Sequence, residues 1–542
     1  MNETIGNGPE DTSRESVPLI VVEESAICEK SRSKPVRPVG WRELICLLLM
    51  VILADITLYG VAGFAGPAVF FALLPVPLWW GAADRHLNVR TLVAVLLIWG
   101  VAIRLVWCAT GMAVVAGIVL TGCVSLAIAG GALSVGEILR LLAGLPFSSM
   151  MGLLAYDRWI RICFKRWLHW PALGKIMQFA LPPVMGLIFL GIFILANPDL
   201  VNWVAVEISS LFESIDQWIG HLIDSPWRIV FWIGAGWISV GLLRPILPAV
   251  SEAPPATTAF DGNDIQNELF PAFRNTLSVL IVLFAGYLVF EFWTMWTRTF
   301  PPDFYYAGYA HEGAFWLTVA LGLATLLLSV IFRGTIWRDE RLPLMRWLAM
   351  IWSAENLLLS AAVFNRLFIY INFNGMTRMR VVGLIGTATV VAGLILVVVK
   401  IWRQRHFAWV IRHQLITLAL AIYLYAILPV DAFVVAYDVR QILSGNPKPS
   451  VQLAHHQTSL EGKLQMFPLL NCSDTIIRDG VAELLTNTWN QLQQNSTSDW
   501  TAYQIAAEQF QQHVLESRSQ PEQIVFEEGA WQRFRDYSFQ WY

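Results

Sequence analysis

Residues 300–332 read FPPDFYYAGYAHEGAFWLTVALGLATLLLSVIF. From Gly313 to Phe332 this stretch holds no charged residue, and it is about the ~20-residue length of helix that crosses the hydrocarbon core of a bilayer. Just before it stand His311 and Glu312, so the charge stops where the apolar run starts. Residues 364–380, FNRLFIYINFNGMTRMR, place a similar polar group between two further apolar runs. Together the two stretches decide the fold class: membrane-length helices with polar chemistry at their ends. They bring Tyr309, His311, Glu312, Arg366, Tyr370, Arg378 and Arg380 into one candidate polar cluster, with Asp303 and Tyr306 beside it.

The rest of the chain agrees with that class. Of its 542 residues 56% are hydrophobic and only 14% charged, with a mean hydropathy of +0.54. Soluble domains carry about 25% charged residues, so much of this surface faces something other than water. The 25 Trp point the same way, because Trp favours membrane–water interfaces. A net charge of -3 gives no footprint for nucleic acid. The six cysteines are scattered and form no CxxC pair, so neither a disulfide framework nor a zinc site is expected.

Apolar runs of membrane length predict about eleven spans: 43–59, 62–80, 91–107, 112–131, 177–196, 229–247, 276–296, 313–332, 347–369, 381–400 and 415–428. A further run at 138–154 is interrupted by Gly144 and Pro146. Basic residues arbitrate its role. The end of the polar tail (Lys30 to Arg37) and the loops at 84–90, 156–175, 333–346 and 400–413 all fall on one side if 138–154 does not cross. Basic loops mark the cytoplasmic side. The segment 138–154 is therefore read as re-entrant, interfacial or a half-helix. The N-terminus is expected inside, the C-terminal region outside, in a bacterial inner membrane.

Around the spans, residues 1–41 are expected to be a disordered cytoplasmic tail, too poor in apolar residues to fold. The first apolar run begins too late for a cleavable signal peptide. Residues 42–430 make the transmembrane domain. It includes an amphipathic outer helix at 199–224 and an inner Pro-rich linker at 248–264. Residues 431–542 are polar with helical spacing and are expected to form a small extracytoplasmic helical domain. The overall expectation is an all-α, polytopic membrane bundle carrying that domain.

Ionisable groups at membrane depth are costly, so each asks for a partner or a function. The first expectation for Glu312 is an ion pair with Arg366 or Arg380 that locks two helices together. The second is a ligand contact or pathway. Asp55, Arg104, Glu291 and Glu355 are the other charges inside or near spans. Separate ion pairs are expected for them, with a relay through Asp55, Arg104 and Glu355 as the alternative. No GxxxxGKS/T, dinucleotide GxGxxG, HExxH or GxSxG motif occurs. His455 and His456 have no nearby Cys to complete a metal site. No cofactor is expected.

Three stretches, YAGYAHEGAFWL (306–317), NRLFIYINFNGMTRMR (365–380) and PVDAFVVAYDVRQIL (429–443), resemble the motifs of a bacterial family of multi-pass integral membrane proteins known as a domain of unknown function. Its first motif is YAREGF-like, matched by Tyr309, Ala310, Glu312 and Gly313. Its second is RLxxYxxxYGLTxxR-like, matched by Arg366, Tyr370, Gly375, Thr377 and Arg380. The third, NPDAxxAxYN-like, is matched by Asp431, Ala432, Ala436 and Tyr437. His311 replaces the family's Arg and Asn374 its Tyr. The resemblance runs from about Asn267 to the C-terminus. It implies fold and location and brings no activity.

The functional expectation is an integral membrane protein acting as a non-enzymatic envelope component. Its partners would be the lipid bilayer and a ligand or envelope protein on the outer side, with signalling across the membrane. A small-molecule or ion transporter is the alternative. A membrane enzyme on lipid-linked substrates is third.

Overall fold

The computed structural model describes residues 39–82, 85–131, 133–164, 226–245, 270–293, 306–332, 339–405, 407–494, 499–518 and 527–541. Among them every regular element is helical. The tail, the expected span at 177–196, the outer helix at 199–224 and the linker at 248–264 lie outside the described residues, apart from the tail's last three.

In chain order the N-terminal helices are α1 (Trp41–Leu58), α2 (Ala65–Leu73), α3 (Pro75–Gly81), α4 (Val89–Trp107), α5 (Gly111–Ile128), α6 (Val135–Phe164) and α7 (Pro226–Leu243). A second set follows: α8 (Phe270–Glu291), α9 (Tyr306–Ile331), α10 (Leu342–Asn374), α11 (Arg378–Arg403) and α12 (Phe407–Ile427). The C-terminal helices are α13 (Val430–Leu443), α14 (Ser450–His455), α15 (Leu460–Leu464), α16 (Thr475–Gln494), α17 (Ile505–Arg518) and α18 (Ala530–Ser538).

The caps are those the sequence asks for. Asn88, Thr110 and Thr377 each accept a bond from the backbone N–H three residues on, at 3.2, 3.3 and 3.2 Å, which satisfies one donor that a helix start leaves open.

Six of these helices, α4, α5, α8, α10, α11 and α12, are long and apolar enough to cross a membrane. Three expected spans fall on shorter apolar helices, at Ala65–Gly81, Trp227–Leu243 and Phe315–Ile331. The first expected span is the 18-residue α1, which carries Arg42, Glu43 and Asp55. On α8, Val279, Val282, Leu283 and Val289 are each more than 60% exposed. Leaving so much apolar surface in water would cost about 25 cal/mol per Å², and a lipid environment removes that penalty. Within such helices Thr121, Thr325, Ser329 and Ser353 turn their hydroxyls back onto the carbonyl one turn earlier, leaving no unsatisfied donor.

The segment at 138–154 belongs to helix α6, which runs unbroken for 30 residues through Pro146. The interruption expected at Gly144 and Pro146, and with it a half-helix, does not form, while an interfacial helix is compatible with this geometry. Proline removes one donor only, and in apolar helices neighbouring groups re-satisfy the freed carbonyl. Packing holds α6 straight against α7. A Cβ on Gly241 would stand 2.2 Å from Ser149 Oγ, and one on Gly152 2.4 Å from Val240 Cγ1.

Among the described residues four buried clusters organise the apolar helices, the smallest of them Val39, Ala155, Tyr156 and Val240 where the start of α1 meets α6 and α7. One joins α1 to α5 with the end of α7, through Met50, Phe71, Leu78, Ile98, Val124 and Leu243. A second joins α8 to α12 through Phe270, Phe332, Met345, Trp352, Leu394 and Val410. A third, smaller one joins α8, α9 and α10 through Leu288, Leu321, Leu359 and Leu367. Helix α12 bridges the sets, with Tyr423 donating to Leu97 O at 3.0 Å. The C-terminal helices pack around their own core of Val435, Met466, Val481, Phe510 and Phe534.

Helix ends sort into two groups. One end of the bundle gathers the α1–α2 loop, the end of α4 and the α10–α11 turn, all touching the C-terminal helices. The other gathers the start of α1 and the ends of α6 and α7. There Glu43 accepts from Tyr156 Oη at 2.7 Å and from Arg244 at 2.8 Å.

Candidate functional site

The site is built on the α10–α11 turn. Helix α10 stops at Asn374 because Gly375 follows with φ 84 and ψ -172, a region that glycine alone occupies readily. Its N–H still closes on Ile371 O at 2.9 Å. Thr377 then caps α11. The C-terminal helices clamp this turn from outside. Asp438, fully buried, accepts from Met376 N–H at 2.6 Å. Gln452 Nε2 donates to Asn374 O at 2.9 Å. Arg380 donates to Gly375 O, and its guanidinium lies 3.7 Å from the Tyr370 ring centroid. Tyr437 Oη donates to Asn372 Oδ1 at 2.8 Å. A turn of four residues thus has three backbone groups held by side chains, two of them from residues more than 60 positions away.

A second layer lies beside it. The Arg378 guanidinium makes a two-pronged pair with Asp431, which also accepts from Ser459 N–H at 2.9 Å. Two residues further on, Glu461 takes both prongs of Arg104 at 2.5 and 2.7 Å, with both residues buried. That pair ties α15 to the end of α4.

Between these layers and the helices below lies a cavity of about 790 Å³. Its polar end is lined by Tyr370, Arg378, Arg380, Asp438, Gln452 and His456. Its apolar end runs between α9 and α11, past Phe315, Leu367, Val382, Gly383 and Gly386. Thr318 and Thr387 meet there at 3.4 Å. Phe315, Met379 and Val382 on that flank are 57%, 72% and 43% exposed.

The charges around the polar end are unequal. Burial alone would raise the Asp431 carboxyl, but the Arg378 fork and the Ser459 donors outweigh it and hold it low, so it is ionised. Burial pushes Asp438 well above the ordinary carboxylate range, with Met376 N–H and Arg380 only partly opposing it. Asp438 Oδ2 has no hydrogen-bond partner. Burial, then the charges of Arg380, His455 and Arg378, lower His456, which leaves it neutral. Among the described side chains, Arg378 is paired with Asp431, while Arg380 donates to Gly375 O and makes no ion pair with a carboxylate. Such a lining can recognise a polar or anionic group by hydrogen bonding. Among the described residues no group of His, Cys, Asp and Glu could hold a metal ion.

The structure brings Tyr370, Arg378 and Arg380 of the expected cluster to this cavity. Arg366 lies one turn deeper, below Tyr370. It pairs with Glu291 at 2.7 and 2.5 Å, and Tyr287 Oη bonds the same carboxylate at 3.0 Å. Tyr309, His311 and Glu312 sit in the first turns of α9, but their side chains, and the pairing expected of Glu312, lie outside the described residues. The relay through Asp55, Arg104 and Glu355 does not form. Asp55 takes Arg228 at 2.6 Å with Trp232 at 2.8 Å, while Arg104 takes Glu461. Separate pairs are the lower-cost answer for charges at different depths.

Sequence reasoning missed Asp438, Gln452, His456 and Glu461 as parts of the site. One signal was available. Asp431 and Asp438 are seven residues apart, two turns on one face of a helix that starts after Pro429.

These features fall in a chain of known kinship. A family model described as "Domain of unknown function (DUF4153)" matches residues 45–462, more than half of the chain, and the protein belongs to that family. The match begins far earlier than the motif resemblance, in α1, and ends at α15, so it includes the whole cavity lining. No curated protein and no solved structure matches the chain.

Proposed function

We propose that this is a multi-pass bacterial inner-membrane protein that binds a ligand or partner at its outer end and communicates the event across the membrane. The N-terminus is cytoplasmic, about eleven spans cross, residues 42–430 form the membrane domain, and 431–542 form an extracytoplasmic helical domain. The observation that carries this reading is the shared cavity: span ends supply one wall and C-terminal helices the other. An occupant would touch both, which is what coupling between them requires. Beneath the cavity's edge residue Leu367 lies the core of Leu288, Leu321, Leu359 and Val363, which favours a binding pocket over a path. The reading is non-enzymatic, since the described lining has no nucleophile held against a base.

Two experiments test it. A reporter fused after Pro449 should be active only on the outer side, and a cytoplasmic signal would reverse the threading. Protein reconstituted in liposomes should show no solute flux above empty vesicles. Flux abolished by Arg380→Gln would replace the reading with a transporter.

A further inference from the structure

The cavity is amphipathic along its length, and that constrains what it takes. At one end are the guanidiniums of Arg378 and Arg380, the Asp431 carboxylate paired to Arg378, the buried Asp438 carboxyl and the His456 imidazole. Arg380 is 6% exposed and lines the space, and Gly375 O accounts for one of its donors. At the other end the walls are Phe315, Leu367 and Val382, with Gly383 facing Leu367 of α10 and Gly386 facing open space on α11. A Cβ on Gly386 would meet nothing within 4 Å, so the seam there is empty. Its exposed flank, Phe315 and Val382, belongs to helices with the composition of membrane spans.

A small soluble anion would use only the polar end. A purely apolar molecule would leave Arg380 and Asp438 Oδ2 unmatched, and burying unmatched polar groups is costly. We propose that the cavity holds an anionic membrane lipid, its phosphate-bearing head at Arg380 and Arg378 and one acyl chain lying in the α9–α11 seam past Gly383 and Gly386. This rests on the reading of the cavity as a ligand site. It adds the class of ligand and the route of entry, sideways from the bilayer. Charge selects the head, because Asp431 is matched to Arg378, whereas the Arg380 guanidinium, donating to Gly375 O, makes no ion pair with a described carboxylate. Shape selects the chain, because the glycines leave a slot where other residues would close it.

The test uses full-length protein in neutral-detergent micelles and a phosphatidylglycerol carrying a diazirine at the end of one acyl chain. Cross-linked peptides are mapped by mass spectrometry, with labelling of the exposed α8 face as the internal standard for ordinary lipid contact. Labelling should concentrate on α9 and α11 near Phe315 and Gly386. Unlabelled phosphatidylglycerol should compete it away, and phosphatidylcholine should compete more weakly. Arg380→Gln should lower site labelling about tenfold, the effect of losing one charge-assisted hydrogen bond. Should that variant fail to fold, Gly386→Leu has space for its side chain and fills the slot. It should abolish site labelling while the α8 standard stays. Labelling spread evenly over the bundle and unmoved by Gly386→Leu overturns the lipid proposal. Competition by inorganic phosphate or glycerol phosphate as strong as by the lipid also overturns it, but leaves the ligand site itself standing. If no anion, lipid or soluble, competes, the lipid proposal and the ligand-site reading both fall.

Discussion

Gly375→Ala is the sharpest perturbation of the site. The residue has φ 84 and ψ -172, where an alanine is strained by about 1–3 kcal/mol. Its new Cβ would stand 2.6 Å from Asp438 Oδ1 and 2.9 Å from Pro449 Cβ. Neither atom ends a long flexible chain, so α13 must back away from the turn. That breaks the Asp438–Met376 bond of 2.6 Å and leaves a buried donor unmet, at about 1–3 kcal/mol. The narrower unfolded ensemble of alanine returns about 0.4–1 kcal/mol. The net effect is about 3 kcal/mol of local destabilisation, roughly a hundredfold in the opening equilibrium. Hydrogen exchange of a peptide covering 371–380 reads that quantity directly, and its rate should rise by about that factor. Gly386→Ala is the matched control on α11. It meets open space and should be neutral or stabilising by up to about 1 kcal/mol. A Gly375→Ala protein whose turn exchanges like wild type would show that the clamp is not what holds the turn.

Three further outcomes are expected. Glu461→Gln strands the buried Arg104 and should cost about 3–5 kcal/mol, seen as a lower apparent Tm and faster proteolysis of the C-terminal helices, whereas Arg104→Met with Glu461→Leu should recover most of it. Asp438 titrates higher when folded, so its contribution to stability is fully present below the unfolded carboxylate value and is lost as pH rises towards the folded value. Asp438→Asn keeps an acceptor for Met376 and should melt higher than wild type at pH 7, the gap closing as pH falls to about 4. Asp431 has the opposite sign: its folded value is depressed, so its stabilisation is present at neutral pH and fades as pH falls through that folded value. Asp431→Asn should accordingly lower the Tm at pH 7 and narrow the difference in acid.

What the sequence made legible was set by local physics. Apolar runs located the helices, and the abrupt end of charge at Glu312 and Arg366 located the end of the bundle where polar chemistry gathers. Pairing was not legible, because it depends on which helices become neighbours. Arg366 meets Glu291 across 75 residues and Arg104 meets Glu461 across 357. No period or spacing encodes such distances, so Glu291 read as one isolated charge among several. The break expected at Gly144 and Pro146 does not form, because a proline costs a helix one donor and α7 packs along α6 there. The clamp itself was hidden because Asp438 looks like a surface carboxylate on an amphipathic helix. Only the position of Gly375 beneath it makes that residue a buried acceptor.

The ion pairs at this end act on geometry more than on stability. Replacing a buried pair by apolar residues is often neutral or better, whereas breaking one is not. What Arg104–Glu461 and Arg378–Asp431 supply is a single allowed register between the C-terminal helices and the spans. The first holds them to α4, the second to α11, and Thr501 Oγ1, accepting from Ala62 N–H at 3.0 Å, holds them to the α1–α2 loop. These attachments reach three different elements of the bundle. A molecule entering beneath them meets a fixed roof. The other wall includes the α10–α11 turn, whose course rests on one glycine and on bonds to side chains of those C-terminal helices. Displacement there moves the ends of a 33-residue and a 26-residue helix, about 50 and 40 Å long at 1.5 Å per residue. Both exceed the roughly 30 Å of hydrocarbon. Under the proposed coupling, an occupant that displaced this turn would act on helices long enough to carry the movement to the opposite end.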